Sequence, residues 1–453
     1  MNIKQFSLAM LRSIAAVVLI ASLAFGSEAF AQTSQEQDAP PPVSGIEIDV
    51  RVGARRVLVP LAVPDTQQPA GESQGVSTRV QEILRRNLDL AGYFQILPVD
   101  SFFFDPSKEG LSPADINFQN WFNVGAQGLI KSAVRVQGDK IQLDLRLYAV
   151  DKGRPITLKW TAQPVARGEV DAQVNDFINA VIEHYTGQRG IFGTRIVYAQ
   201  RDPNGLKQIF SMDMDGTNRV QITRNRAINL LPTAGSGAVY YTSYQDNNPD
   251  LWVYRGGENK KLSSRRGQNS GAAYCNGKLA LTLSMGGENA DVYLIDPNDG
   301  KILRRLTDHW AIDTSPTWSA DCSQIAFVSG RSGGPQIYVM NADGSDQRRL
   351  THQGSYNSNP SWAPRGDLIA FSARDQFNRF DIFTVDLQGN IERLSQDQGN
   401  NEEPTFSPDG RYLIFTSDRG GRGKRLWLMT SDGEIQRLIT TDGAGFTEPS
   451  WSR

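Results

Sequence analysis

The chain has 453 residues, a net charge of −2, 42 glycines, three histidines and two cysteines. That length allows a small domain beside a large one. The near-neutral charge and the lack of a basic stripe with interleaved aromatics argue against a dedicated nucleic-acid binder.

The N-terminus reads as a secretory signal. Lys4 and Arg12 form its positive region, and Ile14 to Phe25 is an apolar core too short to span a membrane well. Ala29-Phe30-Ala31 fits the small-x-small cleavage pattern, so cleavage between Ala31 and Gln32 is expected; the alternative is a retained anchor. No cysteine directly follows the apolar core at the cleavage site, and no later segment is long and apolar enough to span. The next stretch, 32–45, is polar and Pro-rich, the composition of an extended tether or of a short recognition segment.

An α/β domain is expected over 46–187. Glu47–Val50, Arg56–Leu61 and Phe94–Leu97 read as strands, and Lys159-Trp160 as a continuation of the sheet. Val76–Leu90 is an amphipathic helix with Val80, Ile83, Leu84 and Leu88 on one face, stopped by Gly92. Asn117–Gly125 reads as a short helix, and Gly128–Val136 with Lys140–Val150 as a hairpin around Gly138-Asp139. Glu169–Tyr185 is a second long helix, and 188–194 is a linker.

From Arg195 to the end the chain repeats itself. Pro316, Pro360, Pro404 and Pro449 each open a similar stretch, spaced 44, 44 and 45 residues apart. A Leu/Ile followed by Thr/Ser closes each unit: Ile222-Thr223, Leu262-Ser263, Leu306-Thr307, Leu350-Thr351, Leu394-Ser395 and Ile439-Thr440. A period of this size marks a propeller or solenoid. Each unit reads as four short strands with Asp-Gly turns, and six such units make an all-β six-bladed β-propeller over 195–453. The first unit lacks a first strand and the chain stops after Pro449-Ser450-Trp451-Ser452, so the two ends should complete one blade. Trp318, Trp362, Phe406 and Trp451 are expected in the core, where a buried aromatic contributes at most about 4–6 kcal/mol before entropy.

Cys275 and Cys322 fall in equivalent turns of adjacent blades; both a disulfide and two separate buried thiols are open. Gly330–Gly334 matches the G-x-S-x-G pattern of a hydrolase, but it falls in a hairpin and not at a strand–helix turn. His184, His309 and His352 make no metal-spaced pair. The loops before each first strand should crowd one mouth of the central channel. They carry Asn229, Asn269, Ser270, Asp313, Thr314, Tyr356, Asn357, Ser358, Asn401, Glu402, Glu403, Phe446, Thr447 and Glu448. We read these as a protein-docking rim with an acidic centre from Asp313, Glu402, Glu403 and Glu448, which could also hold Ca²⁺; the bland alternative is solvated loop polarity.

Taken together, the leader, the α/β domain ending in His184-Tyr185-Thr186-Gly187, the Arg195-Ile196-Val197-Tyr198 opening and the final half-blade resemble the TolB family of periplasmic propellers of the Tol-Pal envelope system. The resemblance implies a non-enzymatic, monomeric adaptor with no cofactor. It implies a peptidoglycan-associated lipoprotein (Pal) bound at the channel mouth and TolA bound through the mature N-terminus, here Gln32, Thr33, Ser34 and Gln35. It also implies a role in outer-membrane integrity and in constriction during division. The tail here is longer and richer in proline than the family's. The competing class is a propeller-type peptidase or other hydrolase, which would turn over substrate through Ser332 or the rim acids; a third is a small-ligand or ion binder in the channel.

Overall fold

The computed structural model describes residues 57–68, 75–285 and 289–451. The signal segment, the Gln32–Gln35 stretch and the strand expected at Glu47–Val50 lie outside them.

The first sheet runs in the order β2-β1-β3-β4-β5, from β1 (Val59–Ala62), β2 (Phe94–Ile96), β3 (Gly128–Gln137), β4 (Lys140–Ala149) and β5 (Arg154–Ile156), with β6 (Val165–Ala166) also on β4. Its helices are α1 (Gly75–Leu90), α2 (Phe118–Asn123) and α3 (Val170–Thr186). Val80, Ile83, Leu84 and Leu88 of α1 are buried, as their helical spacing requires. α3 ends on Gly187 at φ +73°, a left-handed cap that glycine adopts without strain. Lys159-Trp160 is not part of the sheet. β4 instead takes Arg154–Ile156 and Val165–Ala166 as partners, while Trp160 packs edge-on against Phe177 of α3.

Six four-stranded antiparallel sheets follow, the blades of a propeller. Blade 1 occupies 229–263, blade 2 269–305, blade 3 313–349, blade 4 357–393 and blade 5 401–438. Blade 6 takes its inner strand, Phe446–Trp451, from the chain end and its other three from Arg195–Arg201, Lys207–Asp213 and Val220–Gln221. Phe446 pairs with Gln200 and Trp451 with Ile196, so the ring closes as the incomplete repeats require.

The repeated residues now have physical reasons. Every inner strand is bulged, with the register shifting after Leu230, Ser270, Thr314, Ser358, Glu402 and Thr447. Pro232, Pro316, Pro360, Pro404 and Pro449 sit inside the bulge, where the ladder needs no N–H. The Ser or Thr that follows reaches the next blade: Thr317 Oγ1 accepts the Trp362 N–H at 3.4 Å and Ser361 Oγ the Phe406 N–H at 3.2 Å. The aromatic after it fills the space between blades; Trp362 is 1% exposed. The closing Thr/Ser locks its blade. Backbone N–H groups of Ile209, Val292, Ile337, Ile382 and Leu426 donate to Thr223, Thr307, Thr351, Ser395 and Thr440 at 2.8 to 3.0 Å.

The α/β domain sits on the face made by the turns between first and second strands and between third and fourth. Buried Asp215 accepts from Arg86 at 2.6 Å and Asn87 at 3.0 Å, Arg437 clamps Asp89, and the Tyr412 hydroxyl donates to the Ala91 carbonyl at 2.9 Å. Leu88 and Ala91 share one core with Met214, Tyr412 and Leu428. Cys275 and Cys322 are joined in a disulfide between blades 2 and 3.

Candidate functional site: the channel mouth

The opposite face carries the loops leading into each inner strand and the turns between second and third strands. These segments interlock around the ring. The Asn357 N–H donates to the Pro335 carbonyl at 2.9 Å, the Phe380 N–H to Asn400 Oδ1 at 3.2 Å, and the Gly445 N–H to the Lys424 carbonyl at 3.0 Å. Each blade's turn thereby supports the next blade's loop.

The sequence-predicted residues divide into two sets. Asn229, Asn269, Asp313, Asn357, Asn401 and Phe446, at the first position of each inner strand, are all 0% exposed. Asn357 Nδ2 donates to Gln336 Oε1 at 2.7 Å and Asn401 Nδ2 to Asp381 Oδ1 at 2.8 Å. Asn229 likewise donates to Gln208, and Asn269 accepts from the Ser263 hydroxyl at 2.6 Å. Phe446 packs on Tyr198 with ring centroids 5.5 Å apart. Ser270 and Thr447 are buried as well. Most of these side chains tie the strand start to the blade interior, while the Thr447 hydroxyl is buried without a hydrogen-bond partner among the described residues; buried as they are, they have a structural role beside the rim role expected of them.

Thr314, Tyr356, Ser358, Glu402, Glu403 and Glu448 remain half-buried at the mouth. Tyr356 stacks edge-on with Phe380, and the Arg374 guanidinium lies 4.7 Å from its ring centroid. The third residue of every inner strand has positive φ: Leu231 +50°, Gly271 +63°, Ser315 +53°, Asn359 +52°, Glu403 +58° and Glu448 +57°. Five of these are not glycine, an unusual run of a conformation that L side chains rarely adopt. Side chains from neighbouring blades hold part of this ring. The Glu403 N–H donates to Ser372 Oγ at 2.9 Å, the Glu448 N–H to Glu403 Oε2 at 2.6 Å, and the Leu231 N–H to Glu448 Oε2 at 2.7 Å.

The expected acidic centre is neutralised. Lys207 meets Glu448 at 2.8 Å, Lys424 meets Glu402 at 2.5 Å, and Arg331 meets buried Asp313 at 2.7 Å. Burial, and then the charge of Glu448, push the Glu403 carboxyl above the usual range. Burial disfavours the charged form of Lys424, but Glu403 and Glu402 outweigh it and raise its ammonium. Among the described residues, no group of three or more His, Cys, Asp or Glu is arranged to hold a cation. Ser332 of the G-x-S-x-G match lies in the turn between Gln324–Ser329 and Gln336–Asn341, next to an Arg331 committed to Asp313 and Gln347.

Sequence reading passed over Trp310, Ile312 and Phe377. They are 79%, 43% and 65% exposed on this face. A lone apolar residue in a loop carries no pattern that could have marked them.

Residues 182–453 match the model of the TolB beta propeller domain, and residues 46–156 that of the TolB amino-terminal domain. The chain belongs to the TolB family. It is 39% identical over 400 residues to the Tol-Pal system protein TolB of Anaeromyxobacter dehalogenans, spanning 87% of this chain and 90% of that one. It is 30% identical to the TolB homolog of Chlorobium luteolum, over 88% and 91%. The crystal structure of TolB from Acinetobacter baumannii superposes with a TM-score of 0.74 at 21% identity, over 88% of this chain and 98% of that one, which supports the fold. As a member of the TolB family the chain is a component of the Tol-Pal system. No helix among the described residues is long and apolar enough to cross a membrane.

Proposed function

We propose that the chain is a non-enzymatic periplasmic adaptor. It enters the periplasm through the signal segment 1–31, docks Pal on the channel mouth and engages TolA through the segment that begins at Gln32. In this role it supports outer-membrane integrity and constriction during division. The observation that carries the reading is the division of the ring into two faces. The α/β domain covers one face through Asp215, Tyr412 and Arg437, and the mouth residues lie on the other. The partly exposed Thr314, Tyr356, Ser358, Glu402, Glu403 and Glu448 are the docking residues in this reading. The chain from Gln32 onward, titrated calorimetrically with the soluble domain of Pal from the same organism, tests it. One-to-one binding is the expected result; no heat at concentrations well above those of a micromolar complex would overturn it.

A further inference from the structure

We propose that the Cys275–Cys322 disulfide is a redox-sensitive catch on the propeller ring. It fastens the one seam whose leading blade has no hydroxyl at the position that reaches across to its neighbour. Reduction then frees the α/β-domain end of this seam and leaves the other five as they are.

Two independent observations point this way. The first is what blade 2 lacks. Thr233, Thr317, Ser361, Thr405 and Ser450 stand just after the bulge in five of the inner strands. In blade 2 that position is Ala273. Three of the hydroxyls accept a backbone N–H of the next blade: Thr317 from Trp362 at 3.4 Å, Ser361 from Phe406 at 3.2 Å and Ser450 from Ala234 at 3.4 Å. Ala273 has no side-chain oxygen to offer Trp318, the equivalent residue of blade 3. Its carbonyl instead accepts the Trp318 indole N–H at 3.0 Å. Two residues further on, Cys275 is bonded to Cys322 of blade 3. The covalent link therefore sits where the repeat's own interblade contact is missing.

The second observation is place and access. Toward the mouth the seam is tied without the disulfide: the Asp313 N–H donates to the Ala290 carbonyl at 2.8 Å and the Ser315 N–H to Thr282 Oγ1 at 3.3 Å. The disulfide holds the other end, in the hairpin that pairs Cys275 with Lys278 and in the turn that Ser319 and Gln324 close. The α/β domain is anchored on blades 5 and 6, across the ring, through Asp215, Tyr412 and Arg437. Cys275 is buried, but Cys322 is part-exposed. A dithiol reductant therefore has a sulfur to attack. Its first thiolate bonds to Cys322 Sγ, the S–S bond breaks, and Cys275 leaves as a thiolate that takes up a proton. Its second thiolate then displaces Cys322 as a thiol. The reductant ends as a disulfide, and two electrons and two protons have passed to the protein.

The test treats the folded chain from Gln32 with dithiothreitol, counts the thiols released, and compares hydrogen exchange before and after. Exchange should speed about tenfold or more in 272–277 and 317–324. It should stay as it was in 361–366 and 405–410, the seam between blades 4 and 5 that the Ser361 hydroxyl ties. Ala273→Ser restores the missing hydroxyl. It should recover part of the lost protection in the reduced chain and change little in the oxidised one. Three results would overturn the inference: a folded chain that dithiothreitol cannot reduce, reduction that leaves 272–277 and 317–324 as protected as before, and equal loss of protection at all six seams. Ala273→Ser without effect in the reduced chain would show that disulfide and hydroxyl do not stand in for each other, and would overturn it as well.

Discussion

Glu403 Oε2 accepts the backbone N–H of Glu448, the equivalent residue 45 positions later, at 2.6 Å. It also accepts the Thr416 hydroxyl at 2.8 Å. One carboxylate thus holds the left-handed turn of the closing strand against its neighbour. Glu403→Ala should cost about 1–3 kcal/mol, because the Glu448 N–H loses its acceptor. Glu403→Gln keeps an acceptor and should cost less. Its effect should depend on pH. The folded protein holds the Glu403 proton more tightly than the unfolded chain does, whose carboxyl titrates near about 4.3. Stability from this group is therefore lost as pH rises above that value. Urea unfolding should show the wild type losing ground to Glu403→Gln between pH 4.5 and 7; a constant gap would contradict this.

The closing hydroxyl of each repeat can be tested at Thr351. It accepts the Ile337 N–H at 2.9 Å and donates to Gln336 Oε1 at 2.8 Å. Thr351→Val keeps the shape and removes both bonds, leaving a buried N–H unpaired. We expect a loss of about 1–3 kcal/mol in the urea midpoint analysis, and a smaller loss for Thr351→Ser.

Asp215 anchors the α/β domain. Burial raises its carboxyl, but the Thr217 hydroxyl and N–H, Arg86 and Asn87 outweigh that and hold it below the usual aspartate range. Its contribution is present above the unfolded value of about 3.9 and is lost as pH falls through the lower folded value. Asp215→Ala should therefore expose α1 to hydrogen exchange at pH 7. Its thermal deficit relative to the wild type should shrink on acidification below about pH 4. A deficit that grows with acid would contradict the assignment.

The Cys275–Cys322 bond closes a loop with a sequence separation of 47. By chain entropy it should contribute roughly 2–4 kcal/mol. Reductant, or Cys275→Ala with Cys322→Ala, should lower the unfolding free energy by about that amount and the melting temperature with it. Thiol titration of the unfolded, unreduced protein should find no free cysteine.

The ring was legible from residue spacing. The period, the Pro-Ser/Thr-aromatic run and the Leu-Thr marker recur because each blade meets the same bulge, the same interblade bond and the same strand lock. The closing half-blade followed from two incomplete repeats. The chemistry of the mouth was not legible. Asn357 is polar in sequence, yet its amide is committed to Gln336, which lies 21 residues earlier. Glu448 reads as an acid at a rim, yet its ion-pair partner, Lys207, is 241 residues away. Charge and exposure at the mouth are set by pairs between blades, which a linear repeat does not display. Lys159-Trp160 looked like a strand because an apolar aromatic beside a charge fits alternation; Trp160 packs instead on Phe177.

The central claim is that the channel mouth is the docking face. Hydrogen exchange of the chain from Gln32, with and without the soluble Pal domain, tests it most directly. The account predicts slowed exchange in 308–314, 352–358, 375–380 and 396–403, with the sheet β2-β1-β3-β4 unchanged. Slowed exchange confined to that sheet or to the outer strands of the blades, with the mouth loops unaffected, would contradict it.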